Sequence, residues 1–288
     1  YDAARIKFSS SVEYEMKRTE VLLSPLVFEG LIEKLEDYYL QQELLNLAAE
    51  AEIKTETRLE NALIHQQKIK QIFNHFWMVN ELNDEETAFL KQFFASPYIS
   101  INYKSLVVSA VILSVLRYFD ENKLSILFDI YNESEAELNQ RALVGLLVAI
   151  HKYDSRLQFY SQVSARLEIM KEEPGFKRNL EQIIIQLIRS RETEKIQKKI
   201  KDEIIPEMIK ISPNLKDKIN LEGLMGTGDD DDKNPDWQEI FKDSPGLMDK
   251  MEEFSELQME GADVFMGSFA MLKMFPYFSE NANWFMPF

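Results

Sequence analysis

Residues 102–210 constrain the fold more than any other stretch, because they repeat one pattern three times: an apolar helix, a short polar break and a second helix with one apolar face. The breaks begin at Asp120, Asp154 and Glu192, which lie 34 and 38 positions apart. Periods of about 34 to 47 residues are typical of two-helix repeats. A single pair cannot bury its apolar helix, whereas stacked neighbours can. The spacing therefore predicts an α-solenoid of antiparallel helix pairs, with an irregular helical bundle as the alternative.

The two helices of each predicted pair differ in character. The first helices, such as those from Leu138 to Tyr153 and from Phe176 to Ile188, carry hydrophobic residues on nearly every side. A helix that is apolar all round must be buried all round. The second helices, such as the one from Leu124 to Tyr131, back a single apolar stripe with charged or amide residues. We expect these second helices to lie on the outside of the solenoid.

Composition supports an all-α class and excludes several activities. The 288 residues include only 9 Gly and 9 Pro, and no segment stands out with the alternating period of a strand. The absence of cysteine excludes disulfides and thiolate chemistry and is typical of a reducing, cytoplasmic compartment. A net charge of −16, concentrated in the regions that flank the repeats, argues against nucleic-acid binding. The most apolar run, 262–278, is shorter than the roughly 20 residues of a membrane span and contains Asp263 and Lys273, so it predicts a buried helix.

The sequence divides into four predicted parts. The clearest boundary is a glycine-rich and aspartate-rich stretch that is typical of a mobile acidic loop. The parts are N-terminal long helices at 1–101, HEAT-like helical repeats at 102–222, the acidic loop at 223–235 and a Met/Phe-rich helical part at 236–288. Because the chain begins at Tyr1 and ends in a strongly apolar stretch, we expect it to be a fragment of a longer protein.

No motif predicts a catalytic, cofactor or metal site. Gly226–Gly228 is too short for a dinucleotide fingerprint and has no preceding strand. Asp229–Asp232 is contiguous, whereas a calcium-binding EF-hand loop alternates its ligands, so a solvated acidic loop is expected. His65 and His75 lie ten positions apart and out of phase on one helix, and His151 stands alone. The sequence therefore favours a protein without enzymatic activity.

Two features indicate a surface for a protein or peptide partner. The first is a basic group around the third helix pair, and the second is an aromatic set in the Met/Phe-rich part. The candidate binding residues are Lys177, Arg178, Arg189, Arg191, Lys195, Lys198, Lys199, Lys201, Trp237, Phe241 and Trp284. The alternatives are a solvated charged face for the basic group, and a packed core for the aromatic and methionine side chains.

The paired helices of residues 103–210 look like a HEAT-type α-solenoid. Several blocks also resemble the helical region ahead of the tetratricopeptide repeats in large, uncharacterised bacterial repeat proteins. These blocks are Leu116–Asp120, Gln140–Gly145, Ile204–Met208 and Asn234–Gln238. The resemblance spans most of residues 100–288, and its motifs are packing motifs, so it implies no catalytic residue. The tetratricopeptide consensus itself, with its Trp-x-x-Leu-Gly-x-x-Tyr start, is absent.

These observations predict a non-enzymatic scaffold that binds another protein or a peptide through its helical repeats. Two alternatives stay open. One is a helical hydrolase or lyase with a carboxylate pair in a cleft. The other is a purely structural spacer, for which charge reversal between Lys177 and Lys201 would change no interaction.

Overall fold

All regular secondary structure is helical in the residues that the computed structural model describes. Those residues are 11–47, 55–133, 135–190 and 276–286, with the single residues 198, 202 and 255. No strand occurs among them, which confirms the predicted all-α class. The chain divides into two compact units, of which unit 1 contains Tyr1–Asn179 and Glu280–Phe288 and unit 2 contains Leu180–Ser279.

Nine α-helices and two short 3₁₀ turns make up the described residues. The helices are α1 (Val12–Leu23), α2 (Leu31–Leu47), α3 (Thr55–Met78), α4 (Asp84–Ala95), α5 (Ile101–Arg117), α6 (Glu121–Glu133), α7 (Ala136–Leu157), α8 (Ser161–Lys171) and α9 (Phe176–Arg189). The 3₁₀ turns cover Pro276–Ser279 and Asn281–Trp284. None of the helices described here is both long and apolar enough to cross a membrane.

Helix α5 lies at the centre of unit 1 and packs against α3, α6 and α7. Its residues are apolar nearly all round, and most side chains between Leu106 and Val115 are buried. The expected burial on all sides is therefore correct for this helix. Its approach to α7 is close, since a Cβ added at Gly145 would lie 2.4 Å from Cγ1 of Ile112. A glycine at this position allows the two helices to pack together.

Helix α6 is buried more completely than its single apolar stripe predicts. Leu124, Leu127 and Phe128 of the stripe are buried, but Ile126 and Ile130 beside them are buried as well. The prediction of a single buried stripe is wrong for α6, because α4, α5, α7 and α8 all pack against it. The sequence pattern identifies the apolar face of a helix but not the number of neighbours that cover it.

The second predicted break, at Asp154, is a kink in helix α7 and not a loop between two helices. Helix α7 continues to Leu157, and only Tyr153, with φ −111° and ψ 17°, departs from helical geometry. The hydroxyl of Tyr153 donates to the carbonyl of Val115 at 2.9 Å, which fixes the kink against α5. Asp154 is exposed, and a solvent-facing acid is compatible with a helix. The first break at Asp120 is present between α5 and α6, and the third, at 192–196, lies outside the described residues.

Helix α9 does not have the all-round burial that its isoleucines predict. Phe176 is buried, whereas Ile184, Ile185 and Ile188 are 40%, 47% and 60% exposed. The error has the same origin as that for α6. A hydrophobic pattern shows that a face favours burial, but it does not show which segment of the chain supplies the cover.

The last described residues return to unit 1 and pack against helices that are distant in sequence. Lys17 Nζ donates to Oε2 of Glu280 at 3.3 Å, and the guanidinium of Arg141 donates to the carbonyl of Phe285 at 3.2 Å. The ring of Phe285 stacks on Phe73 of α3 with centroids 5.9 Å apart. We refer to residues 280–286 as the C-terminal segment.

Candidate functional site

A cleft of about 530 Å³ opens between α2, α3 and the start of α5. Its volume lies in the range of about 300–1,000 Å³ that is typical of ligand sites. Among the described residues that line it, none carries a formal charge at neutral pH. We name it the tyrosine cleft, because four of the lining residues are Tyr38, Tyr39, Tyr98 and Tyr103, with His65 between them.

Helical spacing brings these residues together. On α2, Leu31 and Leu35 are buried four positions apart, and Tyr38 follows on the same face. On α3, His65 and Ile69 are buried at the same spacing. Steps of three and four residues thus anchor both helices through aliphatic side chains and place one aromatic ring from each helix at the cleft.

Aromatic contacts join the three elements around the cleft. The rings of Tyr38 and His65 are stacked with centroids 3.9 Å apart, and the ring of Tyr103 lies 5.1 Å from that of His65 with the two planes inclined by 52°. Tyr39 and Tyr98 face each other at 6.0 Å. Burial raises the pKa of Tyr103, and the nearby Tyr38 raises it further, so the Tyr103 hydroxyl remains protonated and able to donate. The walls of the cleft are therefore uncharged but capable of hydrogen bonding.

His65 contributes a neutral ring to the cleft. Only 6% of its surface is exposed, and its Nε2 has no hydrogen-bond partner among the described residues. Burial lowers the pKa of His65 to about 4, and the charge of Lys68 lowers it as well. At neutral pH the imidazole is uncharged, and its role here is to support Tyr38 by stacking and Tyr103 through a tilted ring contact.

A small polar network holds Tyr98 in place at the edge of the cleft. The hydroxyl of Ser96 donates to Oε1 of Glu36 on α2 at 2.6 Å and accepts from the backbone N–H of Tyr98 at 3.2 Å. Lys104 Nζ donates to the carbonyl of Ser96 at 2.6 Å. These bonds tie the connection between α4 and α5 to α2, so Tyr98 has a fixed position relative to Tyr39.

The outer edge of the cleft is apolar and exposed. Leu63 lines the cleft and is 59% exposed. Leu40 and Leu44 on α2 and Ile64 on α3 are also exposed, although all three are large hydrophobic residues. Isolated exposed hydrophobic residues are ordinary, but several on two packed helices beside a cleft indicate an interaction surface.

A second polar cluster is buried where the α3–α4 and α5–α6 connections meet. Lys123 is fully buried, and its Nζ donates to the carbonyls of Val79 and Asn80 and to Oγ of Ser114 at 2.6 to 2.8 Å. Burial lowers the pKa of Lys123 to about 8, although the charge of Asp120 opposes this change. A serine beside a lysine of lowered pKa resembles a nucleophile and its base. Here all three ammonium hydrogens are used, and neither residue lines a cleft described here, so the cluster serves to join the two connections.

The buried carboxylates near this cluster also have structural partners. Asp120 accepts from the backbone N–H of Leu82 at 2.9 Å and that of Asn122 at 3.0 Å. Glu86 lies 2.6 Å from Nε2 of His75 and accepts from the N–H of Asn83, which forms a capping box at the start of α4. Burial favours the neutral form of Glu86, yet these hydrogen bonds hold its pKa below the ordinary value.

A smaller cleft of about 380 Å³ lies beside Arg141, and the carboxylate of Glu137 is the one carboxylate among the described residues that line it. Among their described lining residues, neither this cleft nor the tyrosine cleft contains the carboxylate pair that a helical hydrolase would need. Within the described part of the chain, no group of three or more His, Asp or Glu side chains is placed to hold a metal ion. Asp229–Asp232 lies outside that part.

The residues predicted to bind a partner are only partly described, and none of the described ones lines the tyrosine cleft. Helix α9 carries Lys177, Arg178 and Arg189, whose side chains are exposed, and Lys198 is exposed as well. Trp284 is half-buried in the C-terminal segment. The remaining residues lie outside the described part of the chain: Arg191, Lys195, Lys199, Lys201, Trp237 and Phe241.

Comparison with family models, curated proteins and solved structures found no match to this chain. The resemblance to HEAT-type and tetratricopeptide-repeat proteins therefore stays a prediction.

The sequence reasoning missed the residues of the tyrosine cleft. Tyr38 is noticeable in the sequence only as one member of an apolar stripe, and His65 only as a histidine without a metal-binding spacing. A usable signal was present, since the chain has 11 tyrosines and two of them, Tyr38 and Tyr39, are adjacent. Nothing in the spacing alone shows that Tyr98 and Tyr103 lie opposite them.

Proposed function

We propose that this chain is a non-enzymatic, cytoplasmic scaffold that binds a partner protein through the tyrosine cleft. The observation that carries the proposal is an uncharged cleft whose walls are tyrosines and whose edge is exposed leucine. Tyrosine is enriched at protein interfaces because it offers a large, stiff contact area together with a hydroxyl group. Charged residues are depleted in the centres of such interfaces, as they are from the described lining of this cleft.

The packing of the helices supports the more specific proposal of a solenoid. Helix α5 packs against α3 and α7, and α6 packs against α4 and α8. This order suggests two layers, with α3, α5 and α7 in one and α4, α6 and α8 in the other. Such layers are expected when helix pairs stack on their neighbours. On this proposal the repeat begins at α3, which is earlier than the hydrophobic pattern alone indicates.

The two alternative functions have less support. A hydrolase or lyase needs an accessible acid and base, whereas the buried Lys123, Asp120 and Glu86 are engaged in hydrogen bonds that join structural elements. A spacer needs no cleft, and it gives no reason for exposed hydrophobic residues such as Leu63 beside one.

Site-specific photo-crosslinking in cells of the source organism tests the proposal. A benzophenone amino acid replaces Leu63 at the edge of the cleft, and in a matched control it replaces Phe159, which is 77% exposed and does not line the cleft. Each variant is prepared with and without the second substitution Tyr98→Ser, and the cross-linked proteins are identified by mass spectrometry.

We expect a discrete cross-linked partner from position 63 that is absent from position 159. Tyr98→Ser should lower its yield severalfold, because truncation of an aromatic contact costs an interface about 1–3 kcal/mol. The same proteins at both positions, or a yield that Tyr98→Ser does not change, would contradict the proposed function.

A further inference from the structure

We infer that the tyrosine cleft accepts an uncharged aromatic side chain, presented by a segment of the partner protein. This inference rests on the proposed function and specifies the chemistry of the ligand. The occupant would pack against the exposed faces of Tyr39 and Tyr98 at the edge and extend toward Tyr103 within. Three properties of the cleft support it: the charge of its lining, the state of its ring faces, and the residues at its edge.

The lining excludes a charged group from the interior of the cleft. A charged group that leaves water needs an ion partner or several hydrogen bonds, and without them its transfer is strongly unfavourable. The polar lining residues include Gln42, Gln66 and Asn102, which are neutral amides. Amides and tyrosine hydroxyls can satisfy the N–H of an indole or the hydroxyl of a phenol, but they do not compensate a full charge.

The ring faces at the edge of the cleft are available to an aromatic ligand. Tyr39 is 38% exposed and Tyr98 is 41% exposed, and their planes are inclined by 50°. Aromatic pairs favour offset or edge-to-face contacts with centroids about 4.5–7 Å apart, and inclined rings offer both geometries to a third ring. Leu63 beside them extends the apolar surface that the ligand would cover.

The same features argue against an aromatic cage for a methylated ammonium group. A cage presents several free ring faces to the cation. In this cleft one face of Tyr38 is occupied by His65 at 3.9 Å, and no described lining residue is a carboxylate. The net charge of −16 attracts cations to the whole molecule, so a preference for an uncharged ligand would have to come from the cleft itself.

Methyl NMR of the full chain with ¹³C-labelled methionine tests the inference. The methyl group of Met286 reports on the cleft because this residue lines it, and that of the buried Met170 on α8 serves as an internal control. The probes are three acetylated amino-acid amides, of tryptophan, trimethyllysine and glutamate, each titrated in 150 mM salt. We expect the tryptophan derivative to bind at least tenfold more tightly than either charged probe, as measured from the shift of the Met286 signal. The Met170 signal should not shift.

Substitutions at the edge of the cleft localise the effect. Tyr39→Ser and Tyr98→Ser should each weaken binding of the tryptophan derivative about threefold to tenfold, as expected for loss of one aromatic contact. Tyr277→Ser, at a tyrosine that is 47% exposed and does not line the cleft, should leave the binding unchanged. Because the replaced side chains are exposed, the Met170 signal should stay in place and confirm that the variants are folded.

Two results would overturn the inference. One is tighter binding of the trimethyllysine derivative, which would show a cation site. The other is an unshifted Met286 signal with all three probes. The cross-linking test at Leu63 does not depend on either result. A partner captured there would still support the proposed function, and only the proposed ligand chemistry would be rejected.

Discussion

Protonation of His65 should destabilise the folded chain, and the structure gives the size of the effect. In the folded state the pKa of His65 is lowered from 6.5 to about 4, mainly by burial and also by Lys68. Its Nε2 has no partner among the described residues, so a proton added there would meet no described acceptor. The unfolded chain therefore binds a proton to this residue at a higher pH than the folded chain does. It follows that the free energy of unfolding decreases as the pH falls from 6.5 to 4.

The magnitude follows from the difference between the two pKa values. One unit of difference corresponds to about 1.4 kcal/mol, so the complete loss below pH 4 is about 3 kcal/mol. Between pH 7 and pH 5, where the linkage is incomplete, the loss from this residue is about 2 kcal/mol. Replacement by phenylalanine keeps a ring to stack on Tyr38 but removes both the titration and the unpaired nitrogen. His65→Phe should therefore be as stable as the original chain at pH 7, or slightly more so.

Urea denaturation followed by far-ultraviolet circular dichroism at pH 7 and pH 5 measures the effect. The many acidic residues titrate equally in both proteins, so the difference between the original chain and His65→Phe isolates His65. The original chain should lose about 2 kcal/mol more than the variant. His151→Phe, at an exposed histidine of α7, should not reproduce this difference.

Equal losses for the original chain and His65→Phe would refute the reasoning. Such a result would mean that the folded state accommodates the imidazolium, through a rearrangement of the stacked rings or an acceptor that reaches Nε2. A direct titration of the His65 ring by NMR would test the premise, since a pKa lowered to about 4 requires a midpoint below pH 5.

Three further predictions concern other parts of unit 1 and can be measured by the same denaturation and cross-linking assays. Gly145→Ala should reduce stability by about 1–3 kcal/mol, because the added methyl group would overlap with α5, although alanine by itself favours a helix. An unchanged or increased stability would show that α5 and α7 separate readily. Lys123→Met should cost about 2–4 kcal/mol through unsatisfied buried carbonyls, whereas Lys171→Met at an exposed ion pair should cost less than about 1 kcal/mol. The double charge reversal Lys177→Glu with Arg178→Glu should leave cross-linking at the cleft unchanged, and a loss would move the binding surface to α9.

The fold was predictable from sequence where the residue pattern of a single helix determines how that helix is buried. The apolar surface of α5 predicts a central position, and the polar break at Asp120 ends it where expected. The position of α6 was not predictable, because four other helices bury it and because its buried Lys123 is of a residue type that is normally exposed to solvent. The kink at Tyr153 depends on a hydrogen bond to Val115, a long-range contact that leaves no periodic signal.

The candidate site was less accessible to sequence reasoning than the fold. Charge runs and metal-ligand spacings are local patterns, and they directed attention to α9 and to residues outside the described part of the chain. The tyrosine cleft combines neutral residues from α2, α3 and the start of α5 that are ordinary core or surface residues when considered separately. Its distinguishing property is a concave surface whose described lining residues carry no charge, and this property exists only after the chain has folded.

The return of the C-terminal segment to unit 1 has a consequence for the order of events during synthesis. Glu280 contacts Lys17, and Phe285 contacts Phe73 and Arg141. About 100 residues, those of unit 2, precede this segment in the chain and follow the rest of unit 1. A ribosome adds about 5–20 residues per second, so the earlier part of unit 1 would wait roughly 5–20 s for its last segment. During that interval the ring of Phe73 lacks its stacking partner, and the tyrosine cleft lacks the wall supplied by Met286. A nascent chain at this stage would present an unfinished apolar surface to chaperones, and the cleft would reach its final shape only when the segment arrives.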